Sequence, residues 1–285
     1  MALAASLLAA PSASAQSLTY GPILGRGHTP DQSIVRWGTG SATDATSVAY
    51  RKKGATTWQL QSGGAARDHE VVLTGLALGE TYEYEVRSLT GMPEGGAFTT
   101  CPLAGRPMDF VFYGDSRTGF GTMAGEHAKV LMQVARKTPE MVFESGDIVP
   151  NGTYAQYLSE FFPVANALVR GTPFMAAPGN HDAISDLANN YGQVFPSPRP
   201  AGAAWQSYYA FSCGNARFLS LDSNKVTDAD QLKFITDQLQ AARDDAMTDH
   251  VFIWLHHAPY SVGSHGDNST VQSKWVPIFN RPEYK

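Results

Sequence analysis

Between residues 17 and 100 apolar and polar positions alternate in short runs: "SIVRWGT", "SVAYRK", "TWQLQ", "HEVVLTG", "TYEYEVRS" and "GAFTT". Gly, Asp and Ser clusters interrupt them at short intervals, which is the rhythm of a β-sandwich. "CPLAGRP", residues 101–107, has the composition of a linker. Beyond it, strand-like and helix-like patterns take turns. "MDFVFYGD" reads as a strand, "MAGEHAKVLMQVARK" as a helix and "EMVFESGD" as a strand. "YAQYLSEFFPVANALV" reads as a helix kinked or split at Pro163, and "TPFMAAPGNHD" as a third strand. "SYYAFS" and "ARFLSLDS" form a hairpin pattern, "DADQLKFITDQLQAARDDA" an amphipathic helix capped by Asp228 or Asp230, and "DHVFIWLHHAPY" a last buried strand. The expectation is a multidomain chain: an all-β sandwich over 16–104, then an α/β domain over 105–285 whose βαβαβ order implies a mainly parallel sheet.

Composition narrows the partners. Of 285 residues 43% are hydrophobic, enough for a sizeable core, and the net charge of -5 comes with no Lys/Arg run. That argues against nucleic acid or an anionic membrane surface, though a small phosphorylated substrate can still be drawn by metal ions or local dipoles. Residues 1–15, "MALAASLLAAPSASA", resemble a signal-peptide core ending in the small-x-small pattern Ala13-Ser14-Ala15. Export to the periplasm or medium is therefore expected. No later stretch is long and apolar enough to cross a bilayer. Cys101 and Cys213 would pair in an exported chain and stay free thiols in a cytosolic one.

Open α/β sheets place ligands beyond the carboxyl ends of their strands. The residues found there are Asp115-Ser116-Arg117, Asp147, Asn180-His181-Asp182 and His256-His257. The spacings 147 − 115 = 32 and 180 − 147 = 33 each match one βαβ crossover. Gly114, Gly146 and Gly179 precede the first three groups and permit sharp turns. Any one of these residues alone reads as a turn, a cap or a structural histidine. Together, oxygen and imidazole donors at crossover spacing point to a metal site. Hard oxygens with imidazoles suit manganese, iron or zinc. A carboxylate such as Asp147 can bridge two cations that activate water and hold a phosphoryl group.

"YGDSRTG", "ESGDIV", "PGNHD" and "LHHAPYSVGSHG" resemble the calcineurin-like metallophosphoesterases, and within them bacterial relatives of the purple acid phosphatases. The resemblance implies a fibronectin type III-like domain at the N-terminus, then two β-sheets flanked by helices. It implies hydrolysis of phosphate monoesters or diesters by metal hydroxide at a dinuclear site holding divalent or trivalent Fe, Mn or Zn. Carried onto this chain, it makes Asp115 a ligand of the first metal, Asp147 the bridge, and Asn180 and His257 ligands of the second, His257 being favoured over His256 by its His-x-Pro spacing. His181 would face the substrate, with Asp182 orienting it. His265 would be a second substrate-facing histidine. Three departures stand out. Pro150 occupies the position of the tyrosine that colours the purple enzymes. Arg117 stands where other members carry a histidine and is expected to clamp phosphate, with His127 a further candidate for the lost contact. No Gly-His-x-His follows, so the chain is expected to be C-terminally incomplete and impaired as it stands. The rival expectation is an inactive phosphatase-like scaffold whose sandwich holds a glycan or a protein. A serine nucleophile finds no G-x-S-x-G.

Overall fold

The computed structural model describes residues 18–43, 47–87, 94–118 and 124–284. The expected signal peptide, residues 1–15, lies outside the described residues. Strands β1 (Leu18–Arg26), β2 (Ser33–Thr43) and β5 (Ala66–Leu73) form one antiparallel sheet. Strands β3 (Ser47–Lys52), β4 (Gln59–Ser62), β6 (Thr81–Arg87) and β7 (Glu94–Thr99) form another, ordered β4-β3-β6-β7. Alternate residues face inward, and Leu24, Val35, Trp37, Val48, Leu73, Tyr84 and Phe98 fill the space between the sheets.

Strand β1 escapes the alternation on which sequence reading depends. Its last seven residues are all buried, because it is covered on both sides. Leu24 enters the sandwich core, while Tyr20 and Ile23 enter the core beneath the neighbouring helices. Arg26, 1% exposed, fastens the junction by donating to the carbonyls of Thr99 (2.8 Å) and Glu140 (3.0 Å). Such a buried cation is tolerable because both terminal guanidinium nitrogens meet carbonyl oxygens, although its buried Nε finds no partner. Cys101 and Cys213 form a disulfide with a Cα–Cα distance of 5.2 Å, linking the segment after the sandwich to the α/β part.

The α/β part has two three-stranded sheets. The first, ordered β10-β9-β8, is parallel and consists of β8 (Phe110–Tyr113), β9 (Met141–Glu144) and β10 (Phe174–Ala176). The second joins β11 (Tyr209–Cys213) and β12 (Ala216–Ser220) as a hairpin and adds β13 (His250–Trp254) parallel to β12. Phe143, Met175, Phe211, Phe218 and Trp254 pack between the sheets. Helix α1 (Ala124–Arg136) covers the outer face of the first sheet. So does a long helical segment made of α2 (Tyr154–Gln156), a π turn (Tyr157–Phe161) and α3 (Phe162–Val169). Pro163 sits in the first turn of α3, directly after the π turn, so the helical segment changes its hydrogen-bond register there and continues. The short helix α4 (Asn189–Val194) follows β10. Helix α5 (Ala229–Asp244), capped by the Asp228 carboxylate on the Gln231 amide, packs outside the second sheet with α6 (Ser269–Lys274) and α7 (Val276–Phe279). The layers are thus helix, sheet, sheet, helix. No helix among the described residues is long and apolar enough to cross a membrane.

Candidate metal centre

Register brings the strand ends together. Tyr113 lies opposite Glu144, and Glu144 opposite Ala176, so the three parallel strands stop level and their following turns share one edge. The turns pack backbone against backbone. A Cβ on Gly146 would lie 2.4 Å from the Gly179 amide nitrogen, and one on Gly179 would lie 2.2 Å from Asp147 Oδ1. No larger residue fits either place, which is why Asp147 and Asn180 each follow a glycine. Asp115 (φ 55°) and Asp147 (φ 58°) both take the left-handed conformation, one that aspartate tolerates better than most residues.

Asp147 is the hub. It is 2% exposed. Its Oδ1 accepts from the His181 amide at 2.9 Å and lies 3.4 Å from His256 Nε2. Its Oδ2 accepts from Arg117 Nε at 3.0 Å and lies 3.9 Å from His181 Nε2. Ligating atoms of Asp115, Asp147 and His256 fall within 4.8 Å of one another. The Oδ1 of Asn180 lies 3.0 Å from His256 Nε2.

The donor set fits a cation. His256 Nδ1 lies 3.0 Å from the Ser145 carbonyl oxygen, which can only accept, so Nδ1 carries a proton. In the neutral ring Nε2 then presents a lone pair, and it meets the oxygens of Asn180 and Asp147. Acceptors turned on one another are reconciled by a proton on Nε2 or by a cation between them. Fixing one imidazole nitrogen on a backbone carbonyl while the other points inward is also how metal-bound histidines are held.

The neighbouring histidine is placed otherwise. His257 Nδ1 bonds Ser223 Oγ at 2.8 Å, and the same oxygen accepts the His257 amide at 2.9 Å. Burial, and after it the nearby His256, lowers the His257 pKa. The geometry therefore brings His256, not the expected His257, to Asp115, Asp147 and Asn180. Strand parity carried this signal: Phe252 and Trp254 face the other sheet, Ile253 and Leu255 face α5, and His256 continues the first set.

Asp182 also departs from expectation. Fully buried, it accepts from the amides of Asp147 (2.8 Å), Gly179 (2.8 Å) and Ile148 (3.2 Å) and from the Tyr157 hydroxyl (3.0 Å). Burial pushes its carboxyl up to about 6, partly opposed by these donors. It thus ties two site turns together, while His181 is oriented by the Pro150 carbonyl, 2.6 Å from Nδ1. His127 stands apart from the cluster; its Nε2 is 3.2 Å from the Tyr113 hydroxyl, and burial lowers its pKa to about 4. Arg117, His181, His257 and the exposed His265 line a cavity of about 510 Å³ together with Asp115, Asp147, Asn180 and His256.

Two sheets sandwiched by helices, with oxygen and imidazole donors at one sheet edge, define a four-layer α-β-β-α architecture with a candidate cation site. The calcineurin-like phosphoesterase family model matches residues 124–283, more than half of the chain, and the chain belongs to that family. Purple acid phosphatase PPD1 from yellow lupin (Lupinus luteus) seeds is a structural neighbour with TM-score 0.74 and 18% identity. The match covers 90% of this chain and 56% of the lupin one. A structure of PhoD matches with TM-score 0.63 and 16% identity, covering 90% and 66%. At these identities the likeness is one of fold, and the chain spans between about half and two thirds of these relatives. No curated protein matches by sequence.

Proposed function

We propose that this protein is an exported, metal-dependent phosphoesterase of the acid phosphatase type, acting on phosphate monoesters or diesters. The observation that carries the reading is the grouping of Asp115 and Asp147 with His256, whose Nε2 also meets Asn180 Oδ1. Asp147, Asn180 and His256 would hold one cation of the Mn, Fe or Zn class, and Asp115 with Asp147 would hold another. Bound there, such cations supply Lewis-acid stabilisation of phosphoryl oxygens and acidify a water.

The chain's own groups do the rest. Asp182 and the glycines hold the turns that present the donors. Arg117 borders the cavity with a planar fork that suits two phosphoryl oxygens. His181, its Nδ1–H committed to Pro150, turns Nε2 toward the Asp147 side of the cavity, where a protonated ring can donate to the leaving oxygen. His265 lines the same space. The three-plus-four strand order of the N-terminal sheets supports a fibronectin type III-like module, and residues 1–15 support export.

The test is turnover of p-nitrophenyl phosphate and its bis ester after chelation, with manganese, zinc and iron returned singly. Activity should require a metal, and Asp147→Asn should lose metal and rate together. A folded, metal-loaded protein inert toward both esters would leave the scaffold reading in its place.

A further inference from the structure

Glu144 is an anomaly in the centre of the first sheet. It is the last residue of the middle strand β9, fully buried, with its side chain on the helix-facing side shared by Val142. Burial pushes its carboxyl up to about 8. A leucine would fill this space without desolvating a carboxyl, so the acid is kept at a cost to stability.

Its contact indicates what that cost maintains. The Ser116 hydroxyl donates to Glu144 Oε1, and the Tyr113 side chain lies beside the same carboxyl. Ser116 lies between Asp115 and Arg117, the two residues this turn gives to the site. The backbone on either side is already pinned: the Asp115 amide donates to the Gly146 carbonyl and the Arg117 amide to the Asp147 carbonyl, both at 2.9 Å. These bonds locate the ends of a turn whose first residue is left-handed. The Ser116–Glu144 bond holds its middle and sets how the turn is rolled about them.

We propose that Glu144 is a positioning residue, which through Ser116 fixes the Asp115–Arg117 turn so that the Asp115 carboxylate and the Arg117 guanidinium both meet Asp147. The inference rests on the metal-centre reading above. Glu144 is not among the residues lining the cavity and makes no hydrogen bond described to the Asp147 side chain; its action is indirect.

The experiment is calorimetric titration of the chelated chain with Mn²⁺, for wild type, Ser116→Ala, Glu144→Gln, Glu144→Leu and the Ser116→Ala/Glu144→Leu double variant, with thermal melts of each metal-free protein. Gln can still accept from Ser116, so Glu144→Gln should bind Mn²⁺ within about threefold of wild type. Ser116→Ala and Glu144→Leu should each weaken binding about 10–100-fold, the usual range for groups that orient ligands. The double variant should be no weaker than the worse single one, because the Ser116–Glu144 bond is already absent in each single variant. Glu144→Leu should melt no lower than wild type, separating loss of position from loss of fold. Wild-type affinity in Ser116→Ala, or Glu144→Gln as weak as Glu144→Leu, overturns the proposal. Should wild type itself take up no Mn²⁺, the metal-centre reading fails and this inference with it.

Discussion

Glu144→Gln should stabilise the metal-free protein increasingly as pH rises. The ordinary carboxyl value is 4.5, and burial lifts that of Glu144 to about 8 in the fold. Between these values the folded state holds a proton that the unfolded chain has released. The unfolded state then binds fewer protons, so stability falls with rising pH. At about 1.4 kcal/mol per pH unit of separation, the full penalty above pH 8 is about 5 kcal/mol. Between pH 5 and pH 8 the part that develops is about 3 to 4 kcal/mol. Gln is neutral throughout and avoids it. Asp182, lifted from 3.8 to about 6 by burial, produces a similar decline at lower pH in both proteins, and its charge adds to the upward push on Glu144. Urea unfolding of chelated wild type and Glu144→Gln at pH 5 and pH 8 measures the effect. The stability difference should widen by about 3 to 4 kcal/mol in favour of the variant. A difference that changes by less than about 1 kcal/mol would mean that the charged carboxylate is solvated in the fold, and the burial argument fails.

His256→Ala should weaken Mn²⁺ binding by more than about 100-fold, beyond what loss of an orienting group produces, and His257→Ala by less than about tenfold. The reverse order in a titration would restore the sequence-based assignment of His257. Reducing the Cys101–Cys213 bridge, which spans 112 residues, should lower the unfolding free energy by about 2–5 kcal/mol. Equal stability of reduced and oxidised protein in denaturant would show that the bridge does not constrain the unfolded chain.

Much of the site was legible because the signal repeats locally. An apolar run ending in Gly-Asp or Gly-Asn at crossover spacing is readable without coordinates, and Asp115, Asp147 and Asn180 do share one sheet edge. His256 was passed over because a motif spacing outweighed strand parity, although Trp254 already showed which side of β13 faces the other sheet. The role of Asp182 was not readable: its partners are backbone amides of Asp147, Ile148 and Gly179, and an amide has no letter in the sequence. Glu144 looked like the polar member of a strand, since nothing local marks a carboxyl as wholly enclosed. Strand β1 was missed for a related reason. With Ile23 and Leu24 buried in two different cores, it has no polar face and thus no alternation. Helices α4, α6 and α7 are too short for a helical period to emerge.

The central claim is that separate strand ends gather oxygen and imidazole donors around a cation. The most direct measurement is the anomalous scattering of crystals of this chain soaked in Mn²⁺. The account predicts a peak in direct contact with Asp147 Oδ1, Asn180 Oδ1 and His256 Nε2, at ligand distances of about 2.0–2.3 Å. A fully occupied peak elsewhere, or a site that stays empty at millimolar Mn²⁺ with these side chains ordered, would contradict it.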